Sequence, residues 1–244
     1  DKGIAPSAED WRLPPKLIFT TPSSQYPTGT VLALERRLEL LEQAQRHKAW
    51  IIEDDYDNEL RYHANPVASM FGLAGARRVI YLGTFSKVMY PGLRIAYLVV
   101  PPALVDAFAV GNAELFREGR LTDQAALAEF IADGPSTAHI KRMRSIYRER
   151  RDALQDVLAS RLGDALAVSG GHAGIHLLYH FQDLRVDDRR IADEALARHV
   201  VVRPLSVYYQ RAELARPGLN LGYASVPVER IGPAAEILAR VVET

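Results

Sequence analysis

Lys87 lies in a segment whose side chains could form an imine beside a phosphate site. It follows the apolar run 81–83, which is typical of a buried strand, and Thr84 and Ser86 stand just before it. Arg94 follows seven residues later, after a Pro-Gly turn. A lysine amine can condense with a carbonyl cofactor. Arginine and hydroxyl groups can donate hydrogen bonds to a phosphate dianion. The segment therefore predicts a Schiff-base lysine beside an anion site.

A second apolar run, 50–52, ends in acidic residues and a phenol: Glu53, Asp54, Asp55 and Tyr56. Three adjacent carboxylates are costly to bury without partners, so some of them must face a site or water. Pyridoxal phosphate needs a lysine for its aldehyde and an acid for its pyridine nitrogen. Both groups are present, each at the end of a predicted strand, so pyridoxal phosphate is the expected cofactor.

Three segments in this order resemble a known family. Thr84–Lys87 and Pro91–Arg94 are similar to the lysine segment of fold-type I, class I/II aminotransferases. Thr21–Gly29 and Glu53–Asp57 are similar to the aminotransferase-like domain of MocR-type regulators. These are GntR-family proteins that join a winged helix-turn-helix to this fold. The resemblance extends over essentially all 244 residues.

The resemblance implies a role for each residue of the site. Lys87 would hold the cofactor as an aldimine and later shuttle a proton, and Asp54, rather than Asp55, would keep the ring nitrogen protonated. Tyr56 would hydrogen-bond the phenolic oxygen of the ring, with a packing role as the alternative. Tyr26 stands where ordinary class I/II enzymes have an asparagine that contacts the same oxygen. The phosphate ligands would be Thr84, Ser86 and Arg94.

Two departures separate this chain from an ordinary transaminase. The turn at 26–29 reads Tyr-Pro-Thr-Gly, as in MocR-type domains, instead of Asn-Pro-Thr-Gly. Many family enzymes have an arginine near the C-terminus that binds the substrate carboxylate, and by pattern that position is Asn220 here. Asparagine cannot supply the bidentate fork of arginine. Arg203 is a possible substitute that the sequence alone does not support, so substrate recognition stays open.

Two functions are compatible with this pattern. The first is a pyridoxal-phosphate-binding effector domain of a MocR/GntR-type transcription regulator, which senses an amino compound or amino acid by aldimine exchange. The second is a catalytic class I/II aminotransferase. A half-reaction is expected in either case, and the two departures argue against sustained transamination. An α/β domain without a cofactor is a third, weaker interpretation. The resemblance further implies a homodimer and contact with DNA only through an upstream domain.

Composition excludes several other classes. Thirty basic and thirty acidic residues give a net charge of zero, which argues against nucleic-acid binding by this segment. Cysteine is absent, so neither a disulfide framework nor thiolate chemistry is possible, and a cytoplasmic location is expected. No apolar run is long enough to span a bilayer. His172 and His176 would lie about 13 Å apart on a strand, too far to share a metal ion.

Alternating strand and helix patterns predict an α/β fold with a mostly parallel sheet buried on both faces. Leu34, Leu38 and Leu41 predict one face of a helix over 31–47. The predicted strands are 17–22, 50–54, 78–84, 95–100, 175–181, 200–203 and 219–224. The other predicted helices are two within 103–133, then 137–162, 188–199 and 228–242.

We divide the chain into 1–136, the C-terminal portion of an incomplete large cofactor-binding domain, and 137–244, a linking helix with a small α+β domain. A complete fold-type I domain needs further residues before position 1. We therefore expect the chain to be the C-terminal part of a longer protein, and poor cofactor binding by this part alone.

Overall fold

The computed structural model describes residues 2–62, 68–75, 77–117, 119–171 and 173–244. They form two compact units. The first comprises the described residues of 1–25, 30–59 and 65–142, and the second those of 26–29, 60–64 and 143–244. The boundary near 142 lies within one long helix, Pro135–Leu162. The division at 136 and 137 made from the sequence stays a prediction.

The first unit is built on one four-stranded sheet whose strands lie in chain order. These strands are β1 (Leu17–Thr20), β2 (Trp50–Asp54), β3 (Val79–Thr84) and β4 (Ala96–Val99). The helices are α1 (Leu34–His47), α2 (Met70–Leu73), α3 (Val105–Phe116), α4 (Leu121–Ala132) and the start of α5 (Pro135–Leu162). A buried cluster that includes Leu40, Ile51, Met70 and Val79 forms the core beside β2. The sheet thereby fixes the ends of β2 and β3, where the acidic residues and the lysine follow.

The mostly parallel character of this sheet is confirmed, with one exception. β1, β2 and β3 are parallel, but β4 runs antiparallel to β3. Only residues 85–95 link β3 to β4, and a parallel crossover needs a dozen or more residues, usually with a helix. The short Lys87 segment therefore acts as a hairpin loop and reverses the chain.

Burial on both faces of every strand was a wrong expectation. β4 is exposed along its whole length, and Leu17 and Phe19 of β1 are exposed as well. Both strands lie at the edges of the sheet, where each is paired on one side only. Only β2 and β3 have the interior position that the apolar pattern predicts for all strands.

The predicted apolar face of α1 is also wrong. Leu34 is 56% exposed and Leu38 is 49% exposed, whereas Arg37, Leu40 and Ala44 are buried. The Arg37 guanidinium donates to three backbone carbonyls, those of Leu32 at 2.8 Å, Ala68 at 2.8 Å and Pro22 at 2.6 Å. A buried arginine is tolerated when its donors are satisfied. Its burial rotates the leucines toward the outside.

The second unit has the predicted α+β character. Its sheet is antiparallel in the order β5-β6-β8-β7, formed by β5 (Leu166–Gly170), β6 (His176–Phe181), β7 (Arg203–Pro204) and β8 (Gly218–Gly222). Its helices are the rest of α5, α6 (Asp188–Ala197) and α7 (Val228–Val242). The strand predicted over 200–203 is reduced to two residues, and β5 was not predicted because its sequence, Leu-Ala-Val-Ser-Gly, is short and only weakly apolar.

Candidate functional site

The three acidic residues after the apolar run of β2 have different surroundings. Glu53 is fully buried, and its two carboxylate oxygens accept the backbone N–H groups of Met70 and Phe71, each at 2.8 Å. Burial raises the pKa of Glu53 against the effect of these hydrogen bonds. The side chain therefore satisfies the first free N–H groups of α2, and its role is structural.

Asp55 is also buried and engaged. Its Oδ2 accepts a hydrogen bond from the Tyr81 hydroxyl at 2.8 Å and one from the Asn58 amide at 3.2 Å. Its backbone N–H donates to the Leu82 carbonyl at 2.9 Å. Asp55 thus fastens the segment after β2 to the neighbouring strand β3.

Asp54 differs from both neighbours because it is half-buried and its carboxylate makes no hydrogen bond or ion pair with the described residues. Burial raises its pKa, and the adjacent charge of Asp55 raises it further. Asp54 is paired in register with Leu82, so it shares a sheet face with Leu82 and, two residues on, Thr84. Of the three acidic residues, Asp54 is therefore the one whose carboxylate can accept a hydrogen bond from a protonated ligand group.

The Lys87 loop begins where β3 ends and is closed by backbone hydrogen bonds. The Phe85 N–H donates to the Ile95 carbonyl at 3.1 Å and thus extends the pairing of Thr84 with Ala96 by one residue. Within the loop, the Met89 N–H donates to the Phe85 carbonyl at 2.9 Å, which forms a single helical turn around Lys87. Lys87 is half-buried in this turn.

The same closure brings the phosphate-ligand candidates toward one another. The Phe85–Ile95 hydrogen bond closes the loop, and Ser86 and Arg94 are the first loop residues inside that closure. The Ser86 N–H donates to Thr84 Oγ1 at 3.2 Å, so the two hydroxyl residues lie in one tight turn. An arginine and two hydroxyls thereby flank the Lys87 turn, an arrangement suited to a phosphate dianion.

Arg94 has an unusual backbone. Its φ is 53°, in the left-handed region, at the end of a short 3-10 turn over Pro91–Leu93, and its side chain is exposed. For a residue with a Cβ atom this conformation costs roughly 1–2 kcal/mol. Strained residues of this kind cluster at ligand sites. Its guanidinium makes no hydrogen bond or ion pair with the described residues, so it is available to a ligand.

Two side chains that the sequence did not reveal hold the Lys87 loop from the following helices. His139 of α5 donates from Nε2 to the Val88 carbonyl at 2.7 Å, next to Lys87. Arg120, just before α4, donates from Nη1 to the Leu93 carbonyl at 2.7 Å, next to Arg94. Fifty-one and twenty-seven residues separate these partners, so no local pattern could have indicated them.

Tyr56 is part of the first unit and already donates its hydroxyl proton. Its OH donates to the Ser24 carbonyl at 2.9 Å. A hydrogen bond from Tyr56 to the phenolic oxygen of a cofactor would require exchange of this partner, since a phenol has one proton to donate. The cofactor role of Tyr56 stays a prediction.

Tyr26 belongs to the second unit. Its hydroxyl lies 2.6 Å from the Tyr208 hydroxyl, and its ring packs edge-on against His176 with centroids 5.0 Å apart. Burial, and to a smaller extent the hydrogen bond with Tyr208, raises the pKa of Tyr26 to about 12. Tyr26 is therefore a neutral phenol at physiological pH and can donate one hydrogen bond.

A buried carboxylate fixes the turn that carries Tyr208. Asp188 accepts the Ser206 N–H at 2.9 Å, the Ser206 hydroxyl at 2.6 Å and the Gly218 N–H at 3.0 Å. These three bonds hold the 3-10 turn Leu205–Tyr208 against β8. The position of Tyr208, and through it that of Tyr26, thus depends on a rigid support.

The donor set of the first unit fits pyridoxal phosphate. Lys87 supplies an amine at the end of β3, and Asp54 supplies a carboxylate that no described residue occupies. Thr84, Ser86 and Arg94 supply hydroxyl and guanidinium donors within one closed loop. A phosphate, an aldehyde and a pyridine nitrogen are the three groups that such a set can bind.

Metal and membrane features are not found in the described part of the chain. Its histidine, aspartate and glutamate side chains form no cluster suited to a metal ion. His172 lies outside the described residues, so its distance from His176 stays a prediction. Among the described helices, none combines the length and the apolar character that crossing a bilayer requires.

The raised pKa of Asp54 predicts that Asp54→Asn stabilises the cofactor-free protein against unfolding, and that this stabilisation depends on pH. Because the folded state holds this proton more tightly than the unfolded chain, the free energy of unfolding falls as pH rises above the ordinary aspartate value. At neutral pH the cost of holding a partly buried carboxylate at Asp54 therefore lowers the free energy of unfolding, and asparagine, which carries no charge, removes this cost. We expect a higher Tm for Asp54→Asn at pH 7 and no advantage below about pH 4.

Thermal unfolding at both pH values measures this effect. Asp55→Asn is the matched control, because Asp55 accepts two side-chain hydrogen bonds and its replacement should stabilise nothing. A lower Tm for Asp54→Asn at pH 7 would contradict the assignment of a free, partly desolvated carboxylate.

Comparisons with known proteins identify relatives of this chain. The probable rhizopine catabolism regulatory protein MocR of Rhizobium meliloti is 40% identical over 221 residues, which are 90% of this chain and 44% of that protein. The HTH-type transcriptional regulator TauR of Rhodobacter capsulatus is 34% identical over 243 residues, 99% of this chain and 48% of that protein. The chain thus spans about half the length of these curated relatives. The predicted resemblance to MocR-type regulators is confirmed.

A solved structure gives the same result for the fold. The kynurenine aminotransferase of Pyrococcus horikoshii, solved in complex with PMP, superposes with a TM-score of 0.84 and 27% identity, over 93% of this chain and 56% of that one. The predicted fold-type I architecture is confirmed, and the expected cofactor, pyridoxal phosphate, agrees with it. The family model for aminotransferase class I and II matches residues 8–238. Given that match over nearly its whole length, the chain belongs to the class I and II aminotransferase family.

Proposed function

We propose that this chain is the pyridoxal-phosphate-binding effector domain of a MocR-type transcription regulator, and that it senses a small amino compound by aldimine exchange at Lys87. The observation that carries the proposal is the state of Asn220. It is buried in β8, and its amide donates to the Pro27 carbonyl at 3.4 Å. A buried amide at this position cannot bind a carboxylate as an arginine fork does.

The roles of the remaining residues follow from their chemistry. Lys87 would attach the cofactor, Asp54 would hold a proton on the ring nitrogen, and Thr84, Ser86 and Arg94 would bind the phosphate. When bound, pyridoxal phosphate supplies an electron sink for the bonds to the amino carbon. Tyr56 would donate to the phenolic oxygen of the ring after release from Ser24, and Tyr26, at the position of the asparagine of ordinary enzymes, would be a further cofactor-binding residue.

The regulator hypothesis also agrees with the charge and with the relatives. The chain has no net charge, so contact with DNA is expected from a separate helix-turn-helix domain of the kind for which the curated relatives are named. We further propose a cytoplasmic homodimer, as fold-type I architecture implies. A small amino compound or amino acid is then the signal.

The alternative is a catalytic aminotransferase, and the complete set of Lys87, Asp54 and Arg94 favours it. Mixing the full-length protein, loaded with pyridoxal phosphate, with primary amines separates the two functions. We expect a rapid change in the cofactor absorption band, which reports exchange, without continued production of keto acid in a coupled assay. Sustained turnover on the order of tens per second, ordinary for enzymes, would establish the aminotransferase instead.

A further inference from the structure

The carboxylate of Asp55 lies on the opposite face of the first sheet from that of Asp54. Asp54 is the register partner of Leu82 and belongs to its face, whereas Glu53 is the partner of Tyr81. Side chains alternate between the two faces of a strand, so Asp55 projects with Glu53 and Tyr81. The hydrogen bond from the Tyr81 hydroxyl to Asp55 Oδ2, at 2.8 Å, agrees with this placement. The acid expected at the cofactor thus has a second acid on the other side of the same backbone.

The charge of Asp55 has only neutral partners. Tyr81 and Asn58 both donate to Oδ2, and Oδ1 is buried without a hydrogen-bond partner among the described residues. Asp55 is 2% exposed, and within the described ranges no lysine or arginine forms an ion pair with it. A charge that neither water nor a cation compensates acts strongly on nearby groups, because the effective dielectric constant of a buried site is low. Asp55 is therefore a source of negative potential at the end of β2.

Aromatic rings on the Asp55 face exclude water from its surroundings. The Tyr97 ring lies directly on the β3 backbone, where a Cβ atom added at Gly83 would overlap it. The centroid of this ring is 6.1 Å from that of Tyr81 and 5.6 Å from that of Phe85. Glycine at position 83 thus allows Tyr97 to pack on the ring whose hydroxyl binds Asp55. This packing contributes to the burial of the carboxylate.

The ionisable groups around Asp55 respond to its charge. Burial is the largest cause, and the charge of Asp55 a further cause, of the raised pKa values of four neighbours: Glu53, Asp54, Tyr81 and Tyr97. Three of them belong to the Asp55 face. Asp54 belongs to the other face, and its carboxylate has no hydrogen bond or ion pair with the described residues. A cation that binds to Asp54 would therefore also feel the potential of Asp55.

We propose that Asp55 is a positioning residue for the cofactor ring, which acts through Asp54 and strengthens the binding of a protonated pyridine nitrogen. The inference rests on the proposed function, because it requires Asp54 to bind that nitrogen. A protonated pyridine is a cation, and a second negative charge close to its carboxylate partner favours the protonated form. Asp54 would supply the hydrogen bond, and Asp55 would add negative potential without touching the cofactor.

The test compares pyridoxal phosphate with its deaza analogue, in which a C–H group replaces the pyridine nitrogen. Both compounds carry the same aldehyde and phosphate, so the ratio of their dissociation constants isolates the contribution of the nitrogen. Absorption titration and calorimetry measure both constants in the full-length protein prepared without cofactor. We expect the wild type to prefer pyridoxal phosphate, and Asp55→Asn to reduce this preference about tenfold, which corresponds to a shift of about one unit in a proton equilibrium. Asparagine keeps an oxygen that can accept the Tyr81 hydrogen bond, so the variant loses mainly the charge.

Two further variants serve as references. Asp54→Asn should abolish the preference, because it removes the direct partner of the nitrogen. Asp106→Asn, at an exposed position in the first turn of α3, is the control for loss of one negative charge and should keep the preference. If thermal unfolding shows that Asp55→Asn does not fold, Tyr81→Phe gives the same test. It removes a donor that stabilises the charged form of Asp55, so it should lower the preference in the same direction.

The possible results separate the role of Asp55 from the proposed function. An unchanged preference in Asp55→Asn, equal weakening of both compounds, or an equal loss in Asp106→Asn would overturn the role of Asp55 and leave the proposed function standing. A wild type that binds both compounds equally well would show that no acid binds the ring nitrogen, which would overturn the inference but not attachment at Lys87. A wild type that binds neither compound would count against the proposed function itself.

Discussion

Replacing Lys87 with alanine is expected to abolish covalent attachment of the cofactor. Borohydride reduction of the wild-type protein should fix pyridoxal phosphate on the peptide that contains Lys87, and the alanine variant should yield no labelled peptide. The variant should still fold, because the turn around Lys87 is closed by main-chain bonds from Met89 to Phe85 and from Phe85 to Ile95. No backbone group of the loop depends on the lysine side chain.

Non-covalent binding of the cofactor by Lys87→Ala separates the role of the lysine from the role of the residues that bind the phosphate. The Thr84, Ser86 and Arg94 donors remain in Lys87→Ala, so weak, reversible binding through the phosphate should persist and be removable by dialysis. Lys141→Ala, at an exposed position on α5, is the matched control and should label like the wild type. Labelling of the Lys87→Ala protein at another lysine, or a wild-type protein that takes up no cofactor, would refute the assignment.

The ends of β2 and β3 were predictable because local sequence determines them. An apolar run that stops at charged residues predicts both the strand and its end, and neighbouring parallel strands bring their carboxyl ends to one edge of a sheet. The choice of Asp54 over its neighbours came from the family resemblance. The structure supplies a physical reason, since Glu53 caps α2 and Asp55 binds Tyr81, which leaves Asp54 without a partner among the described residues.

Other features depend on contacts between distant residues, which a sequence pattern does not contain. The buried state of Arg37 requires three carbonyls from three different segments, and the pattern of leucines alone predicted a different face of α1. The His139 and Arg120 bonds to the Lys87 loop are of the same kind. The antiparallel direction of β4 follows from the short loop before it, which is visible in the sequence. The apolar run of β4 indicates a strand but not its direction.

The support that helices give to the Lys87 loop suggests how its geometry is maintained. A loop that must present an amine and a guanidinium needs its backbone held, because catalytic and binding groups lose much of their effect when misplaced by about 1 Å. His139 fixes the carbonyl beside Lys87, and Arg120 fixes the carbonyl beside Arg94. Arg120 is itself oriented by an ion pair with Asp123 at 2.6 Å. These are the positions at which indirect effects on cofactor binding are expected.

The second large effect is expected at Arg94. Removal of its guanidinium should weaken cofactor binding about 10- to 100-fold, because hydrogen bonds to charged groups contribute roughly 1.5–3 kcal/mol. Its backbone allows the loss of the charge to be separated from damage to the fold. Arg94→Ala removes the guanidinium but keeps the strain of a Cβ atom at φ 53°. Arg94→Gly removes both, because glycine adopts this conformation without steric cost.

Titration of the cofactor-free protein with pyridoxal phosphate, together with thermal unfolding, compares the two variants. We expect both to lose affinity equally, and the glycine variant to be at least as stable as the alanine variant. Arg117→Gly is the matched control, because Arg117 is also exposed with a φ of 53° and lies at the end of α3, away from the Lys87 loop in sequence. It should change stability without changing affinity. If Arg94→Gly binds the cofactor as tightly as the wild type, the guanidinium is not a phosphate ligand, and the left-handed conformation of Arg94 serves only to close the loop.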